Sequence, residues 1–310
     1  MKRRLLRQQT QSKWTAADIP DQDGRTIVVT GANSGIGAAA ALELGRAGAR
    51  LILAVRDTEK GAQVAETLPG ATEIRRLDVS QLESVREFAD SFDGNIDVLI
   101  NNAGVMGVPY STTADGFETQ LATNYLGPFA LTGLLLGRLR DRVITVSSQA
   151  HRHARLRLDD LSSDPAKYDS SAAYNQSKLA TLLFHYELHR RLVGVGSPIR
   201  AIAAHPGLAR SNLLSNAEAT RRMRITGFAQ RRLGQPTDRG ALPLLFAATV
   251  DLPNSTYVGP DGFYELRGHP KIVDSSRASK DPRLGAALWE LSEQLTGVRY
   301  DFGLKAPPDS

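Results

Sequence analysis

Residues 29–37 read Val-Thr-Gly-Ala-Asn-Ser-Gly-Ile-Gly, the first two closing the apolar run "RTIVVT" (25–30) and the last standing directly before "AAAALELGRAG" (38–48). A β-branched run, a glycine turn and a helical pattern in that order describe a strand feeding a helix through a tight loop. Gly31, Gly35 and Gly37 permit the turn and let backbone N–H groups approach a ligand closely. A diphosphate suits such a loop, because the helix N-terminus that follows it carries partial positive charge. The spacing is G-x-x-x-G-x-G rather than G-x-G-x-x-G, so the loop argues for a dinucleotide only through its position between a first strand and a helix.

Moving outward, the same rhythm repeats. "RLILAV" (50–55), "TEIRRL" (72–77), "IDVLIN" (96–101), "RVITVS" (142–147) and "IRAIAA" (199–204) read as strands. Segments with helical periodicity, such as "LESVREFADSF" (82–92), lie between them. Strand and helix alternating at this spacing predict right-handed βαβ units, and hence an α/β, doubly wound, mostly parallel sheet with helices on both faces. A late pair, "STYVG" (255–259) and "GFYEL" (262–266), supplies the expected seventh strand. No linker divides the chain, so one domain is expected over 24–297, after a basic flexible extension (1–23) and before a C-terminal tail (298–310). The rhythm breaks at 208–236, a long insertion after the sixth strand, which we expect to form a lid over the site.

Composition excludes more than it identifies. There is no cysteine among the 310 residues, so disulfides and cysteine-ligated metals are excluded. The net charge of +5 is local. Lys2, Arg3, Arg4, Arg7 and Lys13 lie in an acid-free stretch, and the remaining 33 basic residues match the chain's 33 acids. A body with no basic bias offers no nucleic-acid footprint. No run approaches 18 apolar residues, so no transmembrane segment is expected. A cytoplasmic setting is expected, because the basic stretch has no apolar core that would make it a secretory signal. His185 and His189, at i and i+4 in "HYELH", have metal-ligand spacing, but no third ligand accompanies them and no metal site is expected.

Two further features bear on chemistry. The second strand ends "AVRD": Arg56 can pair with a ribose 2′-phosphate, where NAD-binding folds place an acid for the 2′-hydroxyl. With Ser34 adding a hydroxyl, this favours NADP(H), NAD(H) remaining possible. In "AYNQSKLATLLF" (173–184), Tyr174 and Lys178 stand four apart and share one helix face. A neighbouring ammonium lowers a phenol's pKa, so Tyr174 is a candidate acid/base.

With "TGANSGIG", "LDVS", "NNAG", "TNYLG", "VSS" and "YNQSK" in order, the chain resembles the short-chain dehydrogenase/reductase family over about Gly24–Gly297. Within it, "AVRDTEKG", "NNAGVM", "VSSQAHR" and "YNQSKLATLLF" resemble the retinol dehydrogenase-like branch. The resemblance implies a Rossmann-type fold and hydride transfer between a nicotinamide and a carbonyl/alcohol pair on a hydrophobic small molecule. It implies Tyr174 as acid/base, Lys178 as its pKa-lowering neighbour and ribose contact, Ser148 as holder of the substrate oxygen, and Asn124 as positioner of a relay water. It places Gly31, Asn33, Ser34, Gly35, Ile36 and Gly37 at the diphosphate, and Asp78 and Val79 at adenine. Asn101, Ala103 and Gly104 fall on the adenosine side, and Pro206, Gly207, Leu208 and Ser211 at the nicotinamide. Ser148 and Tyr174 are 26 positions apart, about twice the separation of many members. The extra segment is expected to form a flap (150–171) beside the substrate mouth and to leave monomer or homodimer open. A binding-only nucleotide sensor and a C=C reductase are the alternative readings. The presence of Asn124, Ser148, Tyr174 and Lys178 together argues against the sensor.

Overall fold

The computed structural model describes residues 13–162, 165–209 and 234–303. Its centre is a sheet of eight strands in the order β3-β2-β1-β4-β5-β6-β7-β8. The strands are β1 (Thr26–Thr30), β2 (Arg50–Val55), β3 (Thr72–Arg76), β4 (Ile96–Asn101), β5 (Leu139–Val146), β6 (Arg200–Ala204), β7 (Tyr257–Pro260) and β8 (Pro270–Ile272). All pair in parallel except β7 with β8. The doubly wound sheet expected from the glycine loop is present, with one antiparallel edge strand beyond the seven foreseen.

The extra strand comes with a correction. "GFYEL" is not a strand: Phe263–Glu265 form a 3-10 turn, with Tyr264 and Glu265 at φ 49° and 55°. Such left-handed backbone cannot join a ladder. The edge strand forms instead a few residues later, where Val258 pairs with Ile272 and Pro260 with Pro270.

Successive strand residues face opposite sides, and both sides are apolar. Val28, Ile52 and Leu99 join one core with α3 (Leu82–Asp90), the helix over 119–135 (α4), α5 (Ser170–Gly194) and α7 (Pro282–Thr296). Ile27, Val29, Leu51 and Leu53 join the other, under α1 (Gly35–Arg46) and α6 (Thr237–Thr249). A further helix, α2 (Thr58–Ala65), follows β2. Strand order reverses between β1 and β4, so a crevice opens at their carboxyl ends, where doubly wound sheets bind ligands.

Parts of both expected tails are packed on the body. Trp14 is buried, its ring edge-on to Phe246 with centroids 5.2 Å apart, and its carbonyl lies 3.0 Å from His269 Nδ1. The Gln22 N–H donates to the Ala47 carbonyl at 2.7 Å. At the other end, Tyr300 donates to the Phe129 carbonyl at 2.6 Å and packs on Trp289, centroids 4.4 Å apart. Residues 14–23 and 298–302 are therefore part of the body. Residues 1–12, most of the expected lid (210–233) and 304–310 lie outside the described residues.

Trp14→Ala removes a buried ring from the α6 side of the core. Its cost is about 2–4 kcal/mol, read from urea denaturation of wild type and variant. An unchanged midpoint would return residues 13–23 to the status of a tail.

Candidate active site

Each expected catalytic residue stands at the carboxyl edge of the sheet, and local sequence explains why. Asp169 caps α5, its carboxylate accepting from the Ala172 N–H at 2.7 Å. This sets the helix so that Tyr174 and Lys178, one turn apart, both face inward; they are 9% and 6% exposed. The pair is thus not a surface pair. Lys178 Nζ donates to the Val146 carbonyl at the end of β5, 3.0 Å away, and lies 5.8 Å from the centre of the Tyr174 ring. The Ser147 hydroxyl donates back to the Lys178 carbonyl at 2.9 Å. Ser148 follows at once, its hydroxyl accepting from the Ala150 N–H at 3.2 Å and close enough to the Tyr174 phenol to favour its ionised form. His151 fixes the turn after Ser148. Its Nδ1 donates to the Ser148 carbonyl (2.6 Å), and its Nε2 accepts from the Ser276 N–H (3.0 Å).

Asn124 sits in a π turn, Ala122–Leu126, inside α4. The wider turn displaces its carbonyl from the usual ladder, and Thr181 Oγ1 donates to it at 3.2 Å. The carboxamide accepts from Val105 N–H (2.8 Å) and donates to Val105 O (3.0 Å) and Ser177 Oγ (2.9 Å). Asn124 therefore tethers the segment after β4 to α5. Gly104 lies against this group: a Cβ there would come 3.0 Å from Asn124 Oδ1 and 3.6 Å from Lys178 Nζ.

The electrostatics differ from the expected lowering of Tyr174 by Lys178. Burial pushes the Tyr174 phenol up, partly offset by the neighbouring Ser148 hydroxyl. The same burial pulls Lys178 down to about 8. Each group resists becoming an ion in a space with little water. Tyr174 is thereby held as a proton donor.

The glycine loop fits a diphosphate. Gly31 and Gly35 have φ of 67° and 57°, and a Cβ at Gly37 would come within 2.5 Å of Gly31 O and of Asn102 Nδ2. The Ser34 side chain caps none of the N–H groups of α1, which remain directed at the crevice beside Asn33, Gly35 and Ile36. Asn102 and Thr30, which sequence reasoning passed over, hold the loop. Asn102 Nδ2 donates to Thr30 O (2.9 Å), and Thr30 Oγ1 accepts from the N–H groups of Asn102 (3.0 Å) and Ala103 (2.9 Å). Asn101 is corrected: its carboxamide turns into the core and donates to Thr132 Oγ1 at 3.0 Å, so only its backbone can face the adenosine side.

At the adenosine end, Arg56 is 69% exposed and lies 3.9 Å from Asp78 Oδ2. Asp78 also accepts from Ser80, and Val79 O packs against Gly127, where a Cβ would overlap it at 1.8 Å. Asp57 is spent on its own helix, capping Lys60 N–H at 3.0 Å and pairing with Lys60 Nζ at 2.7 Å. At the nicotinamide end, Leu208 N–H donates to Leu266 O (2.7 Å) and Gln235 Nε2 to Pro206 O (2.8 Å). Ser211 lies outside the described residues. The expected flap is a series of 3-10 turns, at Gln149–His153, Leu158–Asp160 and Pro165–Lys167. Tyr168 ties it to Glu118 (3.0 Å) and Gln120 (2.8 Å). Among the described residues, no cluster of three or more His, Asp or Glu side chains could hold a metal ion. His185 is buried beside Tyr186.

This strand-edge set of Ser, Tyr, Lys and Asn beside a glycine loop agrees with comparison to known proteins. The family model for short chain dehydrogenases matches residues 25–222, and the chain belongs to that family. It is an oxidoreductase acting on CH–OH/C=O groups with a nicotinamide cofactor. It is 45% identical to mouse (Mus musculus) retinol dehydrogenase 12 over 302 residues, 93% of this chain and 90% of that protein. It is 48% identical to human (Homo sapiens) retinol dehydrogenase 13 over 209 residues, 64% of this chain and 62% of that one. The crystal structure of an uncharacterized protein from Mycobacterium Paratuberculosis superposes with a TM-score of 0.83 at 50% identity, covering 94% of this chain and all of that one. Among the described residues, no helix is long and apolar enough to cross a membrane.

Lys178 gives the site a signature in stability. Its pKa is about 8 in the folded chain and about 10.4 in the unfolded one, so between these values the unfolded state binds more protons. Its charge therefore destabilises the fold below about pH 8, and the penalty disappears as pH rises towards 10. Denaturation midpoints of wild type, relative to Lys178→Met, are expected to climb across that window. Parallel curves would show Lys178 to be solvated.

Proposed function

We propose that the chain uses NADP(H) to interconvert a carbonyl and an alcohol on a hydrophobic small molecule. The observation that carries the chemistry is the Tyr174 phenol, buried beside Ser148 and one helical turn from Lys178, whose Nζ lies 5.8 Å from the centre of its ring. When bound, the nicotinamide supplies the hydride in reduction and takes it in oxidation. Ser148 holds the substrate oxygen. Tyr174 gives that oxygen a proton in reduction and receives one in oxidation. Lys178, anchored to Val146 O, holds the ribose and places positive charge near any phenolate that forms. Asn124 keeps the segment after β4 against α5 and, with a bound water, extends the proton path. Gly31 to Gly37 cradle the diphosphate, with Asp78, Val79, Ala103 and Gly104 along the adenosine and Pro206, Gly207, Leu208 and Ser211 at the nicotinamide.

The preference for NADP(H) rests on Arg56 and Asp57 together. The guanidinium is exposed and only loosely paired, whereas the neighbouring carboxylate is engaged by Lys60 and is poorly placed to hold a 2′-hydroxyl. A hydrophobic substrate is supported by Phe263, Tyr264 and Leu266, exposed on the turn that holds the Pro206–Gly207 loop. A cytoplasmic setting belongs to the same proposal and is checked by cell fractionation.

The reading is tested by following NADPH absorbance with aliphatic, aromatic and retinoid aldehydes, steroids and quinones. At least one carbonyl is expected to be reduced; no turnover across the panel would contradict the proposal. Arg56→Ala is expected to weaken NADPH by about 10–100-fold, the loss of a charge-assisted contact, and to leave NADH nearly unchanged. Equal losses for both cofactors, measured by fluorescence titration, would remove Arg56 from cofactor choice.

A further inference from the structure

The turn at 263–266 is strained and its strain has an evident use. Two successive residues other than glycine, Tyr264 and Glu265, hold φ of 49° and 55°. Backbone of this kind is disfavoured for side chains other than glycine and persists where the surroundings enforce it. Here the Glu265 N–H donates to Gly262 O (2.9 Å), the Gly262 N–H to Arg267 O (3.0 Å), and Leu266 O receives the Leu208 N–H (2.7 Å). Gly207 packs so tightly on the turn that a Cβ would come 2.5 Å from Leu266 O and 2.9 Å from Glu265 O.

The strain aims the Glu265 side chain inward, away from exposed Phe263 and Tyr264. Its Oε2 accepts from Gln149 Nε2 and from His205 Nε2, the latter at 3.0 Å, while Arg152 lies 4.0 Å from Oε1. His205 is fully buried, and its two partners fix its tautomer. Nδ1 accepts from the Gly207 N–H at 3.3 Å, so the ring proton sits on Nε2 and is donated to Glu265. Space for the ring exists because residue 259 is glycine: a Cβ there would lie 2.0 Å from His205 Nε2. Gln149 directly follows Ser148, and His205 directly precedes Pro206. One carboxylate thus receives the ends of β5 and β6.

We infer that Glu265 is a positioning residue: by accepting from Gln149 and His205 it locks the turn bearing Ser148 to the Pro206–Gly207 loop. The inference rests on the proposed hydride-transfer reading, in which Ser148 holds the substrate oxygen and that loop faces the nicotinamide. Without the carboxylate, the His205 proton has no acceptor on the Nε2 side and can move to Nδ1. Nδ1 then no longer accepts from Gly207, and the loop loses its tie to the Ser148 turn. A neutral carboxamide with its oxygen at the Oε2 position keeps both bonds, so the tether needs an acceptor rather than a full charge.

The experiment compares wild type, Glu265→Ala, Glu265→Gln and Tyr174→Phe. It reads NADPH affinity, kcat and KM for an aldehyde that wild type reduces. It also reads the 15N resonances of His205 and amide hydrogen exchange at Gly207 in cofactor-free protein. Glu265→Ala is expected to lower kcat about 10–100-fold with KM within about threefold, a loss of geometry rather than of binding. It should also speed exchange at Gly207 and mix the His205 tautomers. Glu265→Gln is expected to restore all three readouts to within about threefold of wild type, on the tether argument. Wild-type kcat and Gly207 protection in Glu265→Ala would overturn the inference, as would a Glu265→Gln variant as impaired as Glu265→Ala. Failure of the underlying reading looks different: Tyr174→Phe would keep its activity, or no aldehyde would be reduced, and the exchange and tautomer readouts would still decide the tether. Should Glu265→Ala fail to fold, Gln149→Ala removes one arm without altering the strained turn and is expected to lower kcat in the same way; an unchanged kcat would again overturn the inference.

Discussion

A lysine with almost no access to water joins α5 to the central sheet. Lys178 Nζ bonds to the carbonyl at the end of β5, and Ser147, the next residue but one before Gln149, bonds back to the Lys178 carbonyl. Burying an ammonium is costly unless its donors are satisfied. The fold accepts that cost at the point where it also buries a phenol. Once this contact is made, Tyr174 is set against Ser148, Asn124 against α5 through Ser177, and Gly104 beneath both. The site is therefore less a set of independent side chains than the consequence of how one helix is seated.

Close backbone approach is the second constraint. Gly37 allows α1 to meet the first loop, Gly127 allows α4 to meet Val79, and Gly207 allows the β6 loop to meet the strained turn at Glu265. Each of these lies at the carboxyl edge of the sheet, the edge at which the crevice opens where the strand order reverses between β1 and β4. Apolar packing on both sheet faces holds the strands in place, and these contacts shape the crevice at their ends.

Much of this was legible in the sequence. The strands were read as near-continuous apolar runs because both sheet faces are covered, and the first six fall within about three residues of their observed limits, the usual boundary error. The motif residues fall on the elements read for them: Ser148 after β5, Tyr174 and Lys178 on α5, and Asn124 in the helix after β4. What was not legible depended on tertiary contacts. "GFYEL" has strand-like side chains, yet its backbone is bent by the loop it supports. Trp14 stands in a short polar context that shows no period, and its burial comes from tertiary contacts such as those with Phe246 and His269. Asn101 and Asn102 are indistinguishable as letters, but the pleat sends one to Thr132 and the other to the glycine loop. The Tyr174 phenol was expected to be lowered by its neighbour. Spacing along a helix cannot report the burial that raises it.

The central claim is that Tyr174 moves the proton while the rest of the site binds and orients. It is tested most directly by Tyr174→Phe, which keeps the buried ring and removes only the hydroxyl. The measurement is single-turnover oxidation of bound NADPH by a reducible aldehyde, with NADPH affinity measured on the same samples. The account predicts affinity within about threefold of wild type and a turnover rate lower by about 10²–10⁴-fold, the usual worth of a positioned acid. A variant that binds NADPH normally and turns over at the wild-type rate would contradict it.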